Sequence, residues 1–299
     1  MLVDLTVVEP VEMENKNLGL ELAGKVITLS HDIHNTGTLE LIDSSEEQTG
    51  RLIFAEEGTY SKYVKGINNE GTFKLTSGQI ENQKPYVNVV NNSNDGTVEI
   101  VGGTIKLANS SSRGVYTESG QVDITGGIIT GKGIGVYNSG TESINIEGGE
   151  ITLKNDYCYG AYNANVGSIK VTGGTIQISS EYLSYGVYNG TGRTIQIAGG
   201  TIQTNMTYSR TIYGIYNNNI GKIEMTGGTI INASTYNYST TYEIYNNQKG
   251  TINIAGGEIK DSETIGKYVS SYGIYNNQGE VTITKGNINT KTYGIQNNS

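Results

Sequence analysis

Cysteine, proline, phenylalanine and tryptophan are scarce or missing in this chain of 299 residues, which carries one cysteine, two prolines, two phenylalanines and no tryptophan. A single thiol, Cys158, excludes an internal disulfide framework and any multi-cysteine metal centre. Positive charge is also scarce. Twenty Lys and Arg against 29 Asp and Glu leave a formal charge of −9, which argues against nucleic acid and anionic membrane as partners, because both select Lys/Arg clusters. No stretch approaches the length of a membrane-spanning helix, so insertion in a bilayer is not expected. The opening MLVDLTVVEPVEMEN has neither the basic n-region nor the apolar h-region of a signal peptide, and the expectation is that a leader has been removed ahead of it. Hydrophobic residues make up 35% of the chain, which is thin for a spherical core.

What is present is glycine (42), tyrosine (22) and a large share of Asn, Thr and Ile, a mixture suited to short strands joined by tight Asn/Gly corners. Internal repeats set the fold. Aligning the Gly-Gly doublets gives TVEIVGGTI (97–105), QVDITGGII (121–129), SINIEGGEI (143–151), SIKVTGGTI (168–176), TIQIAGGTI (194–202), KIEMTGGTI (222–230) and TINIAGGEI (251–259). Weaker members are TFKLTSGQI (72–80) and EVTITKGNI (280–288). The second glycines recur at spacings of 24, 22, 25, 26, 28 and 29 residues. Between doublets runs a second signature: RGVYT (113–117), IGVYN (134–138), YGAYN (159–163), YGVYN (185–189), YGIYN (213–217), YEIYN (242–246), YGIYN (272–276) and YGIQN (293–297).

Each repeat therefore reads as three short strands. Ile223 and Met225 alternate with Lys222 and Glu224 in the period-2 pattern of a half-buried strand. Gly227-Gly228 forms a corner, a second strand opens at Ile230, and the third ends in an Asn-rich corner. No segment has helical periodicity. Propeller blades need a longer period, leucine-rich repeats an LxxLxL core, and calcium rolls a GGxGxDxUx nonapeptide. The drifting spacing also violates the six-residue register of left-handed hexapeptide coils. The expected fold is all-β: a right-handed parallel β-helix, or three-sheet β-solenoid, of about ten rungs. At one rung per ~4.8 Å this makes a rod of roughly 50 Å. Residues 1–60 are expected to form an N-terminal cap and first rung, and 61–299 a single continuous run of repeats.

LELAGKVITL (20–29) followed by NTGTLELID (35–43) resembles the L-D-L-N-G-K-T-I and N-x-G-x-L-x-I opening of clostridial-type adhesin repeats. From about residue 20 to its end the chain resembles the pectate-lyase-like β-helix repeat proteins found among secreted and surface proteins of bacteria. This resemblance implies the coil. It implies function only loosely, since the same coil hosts lyases, hydrolases and inert stalks.

Stacking turns positions into columns. Val98, Val122, Ile144, Ile169, Ile195, Ile223 and Ile252 are inward, as are Ile100 to Ile254 two residues on, and the column from Val115 to Ile295. Asn91, Thr117, Asn138, Asn163, Asn189, Asn217, Asn246, Asn276 and Asn297 read as an asparagine ladder, because stacked amides can satisfy one another. By parity Tyr116, Tyr137, Tyr162, Tyr188, Tyr216, Tyr245 and Tyr275 face outward. Two readings of this stripe stand: a stacked ladder that stabilises the sheet, or a platform for sugar rings or a partner protein. A second column, Tyr159, Tyr185, Tyr213, Tyr242, Tyr272 and Tyr293, has inward parity and is expected to close the core.

Glu99 and Asp123 should face one another on adjacent rungs, a spacing that suits a retaining glycosidase pair or a cation. No supporting Asp, Arg or His stands in register with them, and lyases of this coil use clustered Asp with Lys or Arg. His31, Asp32 and His34 could touch a metal, but no third histidine exists. No catalytic or metal-binding residues are therefore assigned, and no cofactor is implied. The favoured function is a non-catalytic, adhesin-like module of a bacterial cell-surface or secreted protein. Its elongated face, the seven tyrosines included, would meet glycan or a surface protein. The alternative is a polysaccharide lyase or glycoside hydrolase. The chain ends at GIQNNS (294–299) with no change of composition, from which a longer parent protein, or end-to-end contact at the last rung, is expected.

Overall fold

The computed structural model describes residues 3–208, 211–236 and 238–298. They form a parallel β-solenoid of about eleven turns, and among the described residues there is no helix. Each regular turn contributes three strands. The first face carries strands such as Ser168–Val171, the second Thr175–Ser180 and the third Leu183–Asn189. The third face is a continuous ladder of 12 parallel strands. The first and second faces merge near the C-terminal end, where Thr251–Asp261 and Glu280–Asn289 run through the corner without interruption. The turn count exceeds that of the repeats because the early strands stack without a Gly-Gly doublet. Val11–Met13, Ile33–Asn35 and Val64–Asn69 already pair in the third-face ladder.

The corner between the first and second faces explains the doublet. The backbone of Gly174 has φ +70°, and a Cβ there would lie 2.4 Å from the carbonyl oxygen of Gly148 one turn below. A Cβ on Gly173 would lie 2.1 Å from the Glu147 carbonyl oxygen. The first glycine is thus required by close approach and the second by both close approach and the left-handed region.

The three expected inward columns are buried throughout the middle turns, where Ile144, Ile169, Val187, Ile195, Ile215 and Ile223 expose nothing. Only Ile295, in the last turn, departs from this, at 47% exposed. Because every inward side chain stacks on its equivalents above and below, a few apolar residues per turn make a continuous core.

The asparagine ladder is present with one correction. Asn92, not Asn91, pairs in register with Thr117, whereas Asn91 pairs with Tyr116 and belongs to the outer column. Asn163 Nδ2 donates to Asn189 Oδ1 at 3.1 Å, Asn189 Nδ2 to Asn217 Oδ1 at 2.8 Å, and Asn217 Nδ2 to Asn246 Oδ1 at 2.7 Å. Each amide also bonds corner carbonyls, as Asn163 does to Gly167 O. The ladder extends toward the N-terminus through Asn69 and Asn35, which the repeat alignment does not reach.

Candidate functional site

Tyrosine dominates the third face. The stripe Tyr116, Tyr137, Tyr162, Tyr188, Tyr216, Tyr245 and Tyr275 is in register from turn to turn. Its rings stack with centroids 4.7 Å apart for Tyr137–Tyr162 and Tyr162–Tyr188, and 5.1 Å for Tyr216–Tyr245. All seven side chains are half-buried.

The second tyrosine column is not where parity placed it. Tyr159 and Tyr162 would lie on opposite sides of a regular strand, yet their rings meet edge-to-face at 5.0 Å. Tyr185–Tyr188, Tyr213–Tyr216 and Tyr242–Tyr245 repeat this contact at 5.0, 4.8 and 4.9 Å. Alternation breaks at the residue after the first tyrosine, which is glycine in three of these turns and Glu243 in the fourth. Gly160 and Ala161 are both buried, and a Cβ on Gly160 would meet Ile176 Cγ2 inside the coil at 2.3 Å. Two successive inward positions return both tyrosines to the outer surface, so the column lies beside the stripe instead of closing the core.

The result is a double ladder, stacked along the axis and T-shaped across it, both favourable aromatic geometries. Burial, then the neighbouring phenols, push the Tyr159, Tyr216 and Tyr242 hydroxyls up to about 12. The same causes raise Tyr185, which is 8% exposed, and Tyr213. At its N-terminal end the double ladder closes on Arg113. The guanidinium carbon lies 4.1 Å from the Tyr63 ring centroid and 4.2 Å from that of Tyr137. Arg113 occupies, two turns earlier, the position of Tyr159, so a cation–π stack replaces the missing ring.

A third set of tyrosines escaped the repeat alignment. Tyr157, Tyr182, Tyr208, Tyr236, Tyr238 and Tyr268 stand at the variable corner before the third face and are 40–76% exposed. Tyr157–Tyr182, Tyr208–Tyr236 and Tyr238–Tyr268 stack at 6.1, 6.2 and 5.3 Å. The stretches holding them differ in length, so no common column marked them. The presence of a tyrosine in each of these stretches was the available signal.

The carboxylate pair of the first face behaves as its register implied. Glu99 and Asp123 are adjacent partners, in an open groove lined also by Gln121, Asn145 and Glu147. Asp123 accepts from the side-chain amides of Gln121 and Asn145. The groove thus offers carboxylates and amides, and no cation lines it.

His34 Nδ1 lies 2.8 Å from Glu12 and its Nε2 3.4 Å from Glu70. Burial lowers its pKa, but the two glutamates outweigh that and hold it above the ordinary value. His31 is exposed and takes no part. Among the described residues no three His, Cys, Asp or Glu side chains gather as a metal centre would require. Cys158 is fully buried, and burial lifts its thiol to about 11, which removes the thiolate that reactivity needs.

Comparison of the chain with protein-family models, with curated proteins and with solved structures returned no match. The class is therefore defined by the coil itself, a β-solenoid repeat protein with an asparagine ladder inside and tyrosine ladders outside.

Proposed function

We propose that this solenoid is a non-catalytic, adhesin-like module of a bacterial cell-surface or secreted protein, and that it presents a long aromatic face to a glycan or a surface protein. The observation that carries this reading is the double tyrosine ladder of the third face, with separate stacked pairs of exposed tyrosines at the adjoining corner. Half-buried rings of the stripe, Tyr116 to Tyr275, are held rigid by the double ladder, and the exposed corner tyrosines flank them. Rigid aromatic surface with a polar hydroxyl rim is well suited to contact because little side-chain freedom remains to be lost on binding.

A glycan array on the full chain, run beside a reducing-end release assay on the same polysaccharides, tests the reading. Binding without release is expected. Replacing Tyr188 and Tyr216 together by Ala should weaken it at least about tenfold, as removal of aromatic anchors does, with the far-ultraviolet circular dichroism retained. Release of reducing ends would replace the reading with that of a lyase or hydrolase.

A further inference from the structure

The interior of the coil changes character toward its C-terminal end. One inward column of the second face runs Leu107, Gly131, Leu153, Ile178 and then Thr204, Asn232, Asp261. Against it stands Glu243, which occupies the place held by glycine in both neighbouring turns, Gly214 and Gly273. Glu243 is completely buried, and neither of its carboxylate oxygens has a hydrogen-bond partner.

Packing fixes what it faces. A Cβ on Gly214 would meet Ile230 at 2.7 Å and the amide oxygen of Asn232 at 3.3 Å. One turn on, Glu243 stands in the same relation to Ile259 and Asp261, and its side chain is within hydrogen-bonding reach of Asp261. Two ionised carboxylates are both acceptors, so that contact is a bond only where one carboxyl keeps a proton, the direction in which burial and then Asp261 push Glu243, or where a cation lies between them. Three further polar atoms of this corner are buried without partners: Asp261 Oδ1, Thr241 Oγ1 and Asn232 Nδ2. Thr241 is on the same strand, inward, two residues before Glu243. Orphaned polar atoms are costly in a dry interior, and five of them in one corner ask for one common partner.

We propose that Glu243 and Asp261, with Thr241 and Asn232, enclose a calcium ion inside the solenoid. The donors are hard oxygens, which exclude soft-metal preferences. Two carboxylates match a divalent charge. Exchange of the Asn232 amide ends, which are nearly indistinguishable by shape, turns its carbonyl oxygen toward the orphan position and leaves its NH₂ to donate to Thr204. Five oxygens in an irregular arrangement, with Asp261 half-buried and its other oxygen accepting from Lys291 N at 2.6 Å, suit calcium, which accepts flexible geometry and completes its shell with water, better than magnesium, which demands a near-ideal octahedron. A proton shared between Glu243 and Asp261 is the competing arrangement. It satisfies one oxygen of each and leaves Thr241, Asn232 and the second Glu243 oxygen as they are.

The full chain should be desalted into EDTA-treated buffer and melted with and without 1 mM CaCl₂. The wild type should gain roughly 5 °C at about a hundred times Kd. It should also bind one Tb³⁺ whose emission is excited through tyrosine, Tyr242 being the adjacent residue. Glu243→Gly restores the residue that neighbouring turns already accept, so it should fold, melt alike in EDTA and calcium, and lose the Tb³⁺ signal. If that variant fails to fold, Glu243→Gln provides the same comparison at constant size. Equal melting of wild type with and without calcium would overturn the site, as would equal Tb³⁺ emission from Glu243→Gly. So would a wild type stabilised by acid but not by calcium, which would assign the corner to a shared proton.

Discussion

At the scale of single residues, the asparagine ladder shows how much depends on one functional group. Asn links neighbouring turns because its amide both donates and accepts. Thr117 interrupts this chain. Asn92 Nδ2 reaches the Thr117 hydroxyl at 3.4 Å, longer than the 2.7–3.1 Å of the amide links. The single hydroxyl proton goes to Ser119 O at 2.9 Å, so none remains for Asn138. Thr117→Asn should restore both links. The expected gain is about 1 kcal/mol, read as a melting temperature higher by roughly 2 °C. A neutral or destabilising result would show that the short corner after residue 117 cannot seat an amide. Asn91 and Asn92 illustrate what a sequence leaves ambiguous at this scale. Both fit the column by type, and only strand pairing decides that Asn91 belongs outside.

At the scale of the strand, the tyrosine columns belong to third-face elements whose alternation is broken by two successive inward residues, the first of them glycine in most turns and Glu243 in one. Their phenols are raised by burial first and by one another second, and Tyr159, Tyr216 and Tyr242 reach about 12 against an ordinary value of 10.0. Folded values above unfolded ones mean that the ladder's stabilisation is fully present below pH 10 and is lost as pH rises through about 12. Spectrophotometric titration should therefore show a fraction of the tyrosines ionising together with unfolding, in a single cooperative step above pH 11. Gradual, independent ionisation of all tyrosines with the fold intact would show the ladder to be loosely packed. The first face was legible because TVEI, SINI and KIEM follow strict period-2 alternation and the doublets mark its end. The third face was legible only in part. Parity counted from Ile215 places Tyr216 correctly, but it fails at Tyr213, because Gly214 and Ile215 both turn inward. Glycine adds no side chain to betray that step. The corner tyrosines lie where insertions erase register, and Glu243 reads as a small departure from YGIYN until packing shows it to be buried.

At the scale of the whole molecule, stability is distributed along one axis. Each turn touches only the turns above and below, so the coil behaves as a sum of intrinsic turn energies and nearest-neighbour interfaces. A lesion in the middle should then divide the molecule instead of unfolding all of it. Ile215 exposes nothing and stacks between Val187 and Ile244. Ile215→Asp places a charge there without a partner, at a cost of more than about 4 kcal/mol. The two sides of the lesion are not equal. On the N-terminal side lie long apolar columns through Phe73, Val98 and Ile144, all fully buried. On the C-terminal side lie the polar corner at Glu243 and a last turn whose Ile283 and Ile295 are 38% and 47% exposed. Hydrogen exchange of Ile215→Asp should accordingly show lost protection from about residue 183 to the end, with the turns between about 38 and 150 protected as in the wild type. Glu224→Ala, on the outer column where Lys222 and Gln196 are its partners, should change stability by no more than about 0.5 kcal/mol and leave the exchange map unaltered. Uniform loss of protection in Ile215→Asp would mean that coupling between turns exceeds the lesion, and that the coil unfolds as one unit.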